Sequence, residues 1–221
     1  MIERILPGSV VAVEAFDDDP DAMLFPEEEA VVAQAVAKRR KEFATVRGCA
    51  RTALAELGFA AVPILPGERG APIWPPGVVG SMSHCLGYRV CALARDQDIE
   101  TIGVDAEPNA PLPEGVLEVV SDAAERARIA VLAAARPEVS WDRLLFCVKE
   151  AVYKAWFPLT RQWLDFSQAS VVIDPAGTFT ARVLIEGTAP DGRPLTGFEG
   201  RWLANDDLVI AAIAVADVSG P

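Results

Sequence analysis

Two short segments hold side chains that could grip a metal ion and a phosphate. The first is GVDAEP at residues 103–108. Side chains two apart on a strand point to one face, so Asp105 and Glu107 would aim two carboxylates the same way until Pro108 stops the strand. Neighbouring carboxylates repel unless a cation lies between them. Hard oxygen donors suit Mg²⁺, with Mn²⁺ as the alternative, and Ala106 between them could add its backbone carbonyl. Taken alone, the segment is more plainly an exposed acidic strand end. The second is KEAVYK at 149–154, where Glu150 and Lys154 stand one helical turn apart on a stripe with Cys147 and Arg143. On an exposed face this order makes a helix-stabilising pair of about 0.2–0.5 kcal/mol. Here Leu144, Leu145, Val148, Ala151, Val152, Ala155 and Trp156 cover most of the helix. A charged pair on a buried helix is costly without a task or further partners. Both readings stay open.

Arg39, Phe43, Arg47 and Arg51 recur every four residues and would form one stripe on a continuous helix. A solvated face would explain the stripe, and so would a phosphate site. Arg69, in the loop GERGAP at 67–72, is a further basic candidate. The only histidine, His84, closes the segment GSMSH at 80–84. Ser83 beside it raises a hydrolase reading, which the absence of a GxSxG elbow and of a recognisable acid partner disfavours. A structural strand-end histidine is the plainer account. There is no GxxxxGK[ST] loop and no GxGxxG after a strand, which argues against a P-loop kinase or a dinucleotide-binding oxidoreductase.

Composition narrows the class. With 221 residues, 51% hydrophobic and 24% charged, the chain can bury a sizeable core and is not of a disordered type. A net charge of −12 argues against nucleic-acid or anionic-membrane partners, so any phosphate must meet a local basic cluster. The longest apolar run, 208–216, falls far short of the roughly 20 residues of a spanning helix. The N-terminus lacks the pattern of a secretory signal, and the expected location is the cytoplasm. The four cysteines show no CxxC spacing and read as small core residues.

The elements that must position these residues follow from local pattern. A strand is expected at 9–16. A long helical pattern follows from 26 to 57, with room for a break; Pro26 and three glutamates open it and Gly58 caps it. Residues 63–80 read as a Pro/Gly-rich loop. A hairpin is expected at 80–94 with its turn at 86–88, then a short strand at 101–108 and a linker at 109–113. Helices are expected at 121–135 and 141–157, and strands at 169–173, 179–185, 195–203 and 208–218. Strands in runs rather than alternating with helices indicate an α+β class. A weak internal duplication also shows: each half offers a long helix and then an antiparallel meander.

Together the segments resemble the surfactin-synthase-activating (Sfp-like) 4′-phosphopantetheinyl transferases, nearest to the enterobactin-component-D branch and its actinobacterial members. The resemblance is carried by KRRKEF at 38–43, VRGCARTAL at 46–54, GERGAPIWP at 67–75, GSMSH at 80–84, GVDAEP and FCVKEAVYKAWFPLT at 146–160. It implies transfer of 4′-phosphopantetheine from coenzyme A to a serine of an apo acyl or peptidyl carrier protein, with release of adenosine 3′,5′-bisphosphate. Fatty-acid, polyketide and nonribosomal-peptide carriers are all open as partners. By resemblance, Asp105, Ala106, Glu107 and Glu150 would hold Mg²⁺. Arg39, Arg47, Arg69, Gly70, Ala71 and Pro72 would cradle the 3′-phosphoadenosine end, and Ser83 and His84 would meet phosphates. Asp105, Glu150 and Lys154 would also border coenzyme A, with Glu150 as the leading general base and Lys154 neutralising charge. The family fold implies a pseudo-two-fold pair of halves, 1–107 and 108–221, each a long helix on a small antiparallel sheet, with the site at their junction and a monomeric state. Two departures appear: Arg69 stands where many relatives carry lysine, and Ser83 where threonine is frequent. A non-catalytic coenzyme A or carrier-protein binding module is the competing reading; the acidic set with Lys154 argues against it.

Overall fold

The computed structural model describes residues 1–216. They form two compact units, Met1–Ile102 with residues 215 and 216, and Gly103–Ala214.

In the first unit, β1 (Val11–Ala15) and β2 (Val78–Cys85) both pair antiparallel with β3 (Tyr88–Arg95), giving the order β1-β3-β2. Leu86 and Gly87 form the tight β2–β3 turn, and Gly87 takes the positive φ of 73° that such a turn favours. The expected 26–57 helix is two helices, α1 (Pro26–Val31) and α2 (Ala37–Glu56). The interruption at 32–36 is held by Arg40, whose Nη1 donates to the Val32 carbonyl at 3.1 Å. Gly58, at φ 82°, ends α2 in a Schellman motif: Gly58 N–H donates to Ala55 O at 3.0 Å and Phe59 N–H to Leu54 O at 2.8 Å. Small residues on the inner face of α2 (Cys49, Ala50, Ala53) let it pack closely on Val78, Cys91 and Leu93 of the sheet. Residues 63–80 have no helical period, as expected. The segment closes on itself where Ile73 N–H donates to Leu65 O at 2.9 Å and Gly67 N–H to Ala71 O at 2.7 Å.

The second unit carries β5 (Ala169–Asp174), β6 (Thr178–Val183), β7 (Gly197–Ala204) and β8 (Leu208–Ala216) as antiparallel neighbours, and β4 (Ile99–Pro108) lies beside β8. Alternate residues of β5 and β6 are buried, the period-two pattern of a sheet covered on one face. The last two positions of the strand expected at 208–218 lie outside the described residues. Three helices pack here: α3 (Val116–Val120), which sequence reasoning assigned to no element, α4 (Ala123–Ala135) and α5 (Trp141–Thr160). Asp122 caps α4, accepting from Glu125 N–H at 2.7 Å while Glu125 accepts from Asp122 N–H at 2.9 Å. The end expected for α5 at 157 is overrun to Thr160. Pro158 removes one N–H from the last turn without breaking it, and Arg161, at φ 57°, terminates the helix.

The class is α+β, with two antiparallel sheets and five α-helices among the described residues. None of these helices is long and apolar enough to cross a membrane. Cys49, Cys91 and Cys147 are buried, and burial lifts each thiol above its ordinary range, Cys49 to about 11. These three are core residues, as the sequence indicated, whereas Cys85, at the end of β2, is only half-buried.

Candidate active site

The site begins with a glycine. A Cβ on Gly103 would lie 2.0 Å from the Ala151 carbonyl oxygen and 2.8 Å from the Ala155 nitrogen, so only glycine lets β4 rest on the backbone of α5. That approach brings Asp105, two residues along, against Lys154. Lys154 Nζ lies 2.7 Å from Asp105 Oδ1 and donates to the Val104 carbonyl at 3.1 Å. Asp105 is 5% exposed, which removes the reading of an exposed acidic strand end. Lys154 therefore reaches to the strand and does not serve only as an intrahelical partner of Glu150.

Glu107, half-buried, is 3.0 Å from Arg143 Nη1. The same guanidinium donates from Nε to Ala110 O at 3.1 Å and from Nη2 to Pro111 O at 3.0 Å, tying the linker after β4 to α5. Glu150 completes the acidic group. Burial raises its carboxyl, Asp105 and Glu107 repel its charge and raise it further, and Lys154 opposes them. Glu107 is raised in the same way, by burial and then by Asp105, with Arg143 and Lys154 opposing. Three carboxylates thus feel one another, with two cations among them. Oxygen donors of this kind suit a hard divalent ion. They are not a finished cage: among the described residues no three His, Cys, Asp or Glu side chains stand together in metal-holding geometry.

Beside Glu150 opens a small, mainly apolar pocket of about 90 Å³, bordered by Tyr153, Trp163, Leu164 and Phe166. Lys149, next to Glu150 in sequence, has the opposite setting. It is buried, 2.9 Å from Glu125 Oε2, and donates to Phe166 O at 2.9 Å. Glu125 also accepts from Val171 N–H at 2.8 Å, so this ion pair ties α4, α5 and β5 together.

In the first unit, Arg39 and His84 are in direct contact through Nη1 and Nε2, and His84 lies 3.8 Å from Glu42. Ser83 is buried on β2. The 67–72 loop carries Arg69 exposed and in a left-handed conformation, at φ 52°, beside Gly70 at φ 78°, with Ala71 and Pro72 half-buried after them. Of the stripe 39–43–47–51, Arg39 is exposed but the rest is not a solvated face. Phe43 is buried, the Arg47 guanidinium stacks 3.1 Å from the centre of its ring, and Arg47 is itself 6% exposed. Burial pulls Arg47 down to about 10, still well above neutrality. Arg51 belongs to Glu28, at 3.1 Å.

Sequence reasoning missed three partners: Arg143 as the counter-ion of Glu107, the buried Glu28, and the Lys149–Glu125 pair. Arg143 carried a signal, since it shares the Glu150 stripe. Glu28 carried none that separates it from Glu27 and Glu29.

Two family models match this chain, one described as the 4'-phosphopantetheinyl transferase N-terminal domain over residues 27–94, the other as the 4'-phosphopantetheinyl transferase superfamily over 101–211. The chain is 58% identical to 4'-phosphopantetheinyl transferase Svp of Streptomyces mobaraensis, over 100% of this chain and 91% of that one. It is 48% identical to 4'-phosphopantetheinyl transferase Npt of Nocardia iowensis, over 98% of this chain and 100% of the other. Identity to 4'-phosphopantetheinyl transferase PptT of Mycobacterium tuberculosis is 44%, over 97% and 98%. With both models and full-length relatives in agreement, the chain belongs to the 4'-phosphopantetheinyl transferase superfamily and is an enzyme of that kind.

Proposed function

We propose that the chain transfers 4′-phosphopantetheine from coenzyme A to a serine of an apo acyl or peptidyl carrier protein, with Mg²⁺ and release of adenosine 3′,5′-bisphosphate. The observation that carries this reading is the buried Asp105 at 2.7 Å from Lys154, with Glu107 and Glu150 near enough that Asp105 pushes both of their carboxyls up. Such a group is at ease only when positive charge is supplied, and a diphosphate held by a divalent ion supplies a partner of matching chemistry.

Asp105, the Ala106 carbonyl, Glu107 and Glu150 would hold Mg²⁺ or Mn²⁺. The ion, when bound, neutralises diphosphate charge and polarises the phosphorus under attack. Lys154 stands where it can leave Asp105 for a phosphate oxygen and follow the charge that develops on the leaving group. Glu150 takes the serine proton; its raised carboxyl is a stronger base than an ordinary glutamate once ionised. The serine oxygen then bonds to the phosphopantetheine phosphorus as the phosphoanhydride bond to the nucleotide breaks. Arg39, Arg47, Arg69, Ser83 and His84, with the backbone of Gly70, Ala71 and Pro72, would hold the 3′-phosphoadenosine end.

We read the chain further as a cytoplasmic monomer whose halves, 1–107 and 108–221, are related by a pseudo-two-fold. Support comes from the long helices α2 and α5, one in each unit. The partner is an apo acyl or peptidyl carrier protein or carrier domain, with fatty-acid, polyketide and nonribosomal-peptide carriers all open, and without nucleic acid or membrane.

The test is a mass measurement. Incubation with coenzyme A, Mg²⁺ and an apo carrier protein adds about 340 Da to the carrier, the mass of the group moved by such metal-assisted transfer. Carriers from all three kinds of synthase that keep their mass would overturn the proposal and favour a binding module.

A further inference from the structure

Glu28 is fully buried in the first unit, and donors from three separate segments converge on it. Its Oε2 accepts from Phe25 N–H at 2.9 Å, at the start of α1. Its Oε1 accepts from Ile64 N–H at 2.8 Å. Arg51 Nη1 reaches both oxygens, at 3.3 and 3.1 Å. Ile64 is held on both sides of its Cα, because its own carbonyl, in the next peptide, accepts from Arg47 Nε at 3.1 Å. Arg47 Nε is itself 4.0 Å from Glu28 Oε1.

This arrangement treats the two arginines differently. Arg51 gives its fork to Glu28 and to the Met23 carbonyl. Arg47 is stacked on Phe43 and fixed only through Nε, on the stem side of the guanidinium. Among the described residues the hydrogen bond that Arg47 makes is this one from Nε. Its side chain is nevertheless more than nine-tenths buried, at 7% exposed. A buried guanidinium held by its stem, with its two outer amino groups unused, is prepared for an anion that can take both. Arg39 and Arg51 repel it, and one carboxylate cannot balance three cations, so the neighbourhood stays positive in an acidic protein.

We infer that Glu28 is a positioning residue for nucleotide recognition: acting through the backbone of Ile64, it fixes the Arg47 guanidinium so that its outer amino groups receive the 3′-phosphate of coenzyme A. The inference rests on the reading of Arg47 as part of the 3′-phosphoadenosine cradle and adds the group that sets its orientation. Glu28 touches no substrate.

The experiment compares two probes, adenosine 3′,5′-bisphosphate and adenosine 5′-monophosphate, binding to the whole protein by calorimetry. In the unaltered chain the bisphosphate binds at least about tenfold tighter, the value of a charge-assisted fork. Glu28→Ala, which removes the acceptor of Ile64 N–H, removes most of that preference. Glu28→Asp, which keeps the charge and withdraws the carboxylate from Ile64, removes part of it and serves if the Ala variant does not fold. In an Arg47→Gln background, Glu28→Asp changes the preference no further, because both act on one contact. A parallel assay expects KM for coenzyme A to rise with kcat nearly unchanged, the pattern of lost ground-state binding rather than general unfolding. Folded Glu28 variants that keep the preference would overturn the inference, as would a further loss on top of Arg47→Gln. If the unaltered protein shows no preference for the 3′-phosphate, the failure lies in the Arg47 assignment instead.

Discussion

Lys154 Nζ stands 2.7 Å from Asp105 Oδ1, one bond joining the fifth helix to the fourth strand inside a group of carboxylates. The contact exists because Gly103 has no side chain to hold β4 off α5. It places a cation, 27% exposed, on an aspartate that is 7% exposed, and so couples the charge of the site to its packing.

Removing either partner should damage transfer more than folding. Lys154→Ala and Asp105→Asn are each expected to lower kcat/KM for coenzyme A by at least about 100-fold, the scale of one lost charge-stabilising group. Circular dichroism should stay native. Near-normal rates in both variants would remove the site assignment.

The raised carboxyl of Glu150 gives a pH signature. The folded chain binds this proton more tightly than the unfolded chain does. Its contribution to stability is therefore present below the ordinary glutamate range and is lost as pH rises through the raised value. Glu150→Gln should gain stability relative to the unaltered chain as pH climbs from about 4 to 8, with no difference at the acid end. Urea titrations in metal-free buffer measure this. In the transfer assay, the same group should give kcat/KM an acid limb, rising with pH, that Glu150→Gln abolishes along with most activity.

Gly103→Ala tests the close approach of strand and helix. Overpacking at a backbone contact is expected to cost roughly 1–3 kcal/mol and to shift Asp105 away from Lys154, so activity falls more than stability. Urea melts and the mass assay on one preparation separate the two effects. An alanine variant with unchanged activity would mean that the contact is not what sets Asp105.

The Lys149–Glu125 pair should behave as structure. Lys149→Ala strands a buried carboxylate and is expected to cost about 3–5 kcal/mol. Adding Glu125→Gln, which keeps an acceptor for Val171 N–H, should recover part of that loss. Thermal melts of the single and double variants decide it, and equal melts would show that the pair is not coupled.

The candidate site was legible because its residues are written in local order. Asp105 and Glu107 share a strand face by the period of two, Glu150 and Lys154 share a helix face by the period of 3.6, and Gly58 and Pro26 mark helix ends by their own backbone limits. None of this depends on distant residues. What lay beyond the sequence was choice among equivalent candidates. Three consecutive glutamates open α1, yet only Glu28 is buried under Arg51 and Ile64. Three arginines share one stripe, yet one contacts His84, one stacks on Phe43 and one serves Glu28. Pro158 marked a helix end that packing carried on to Thr160. Periodicity assigns a residue to a face, whereas its partner is set by chain segments tens of residues away, and that pairing is decided only when the chain has folded.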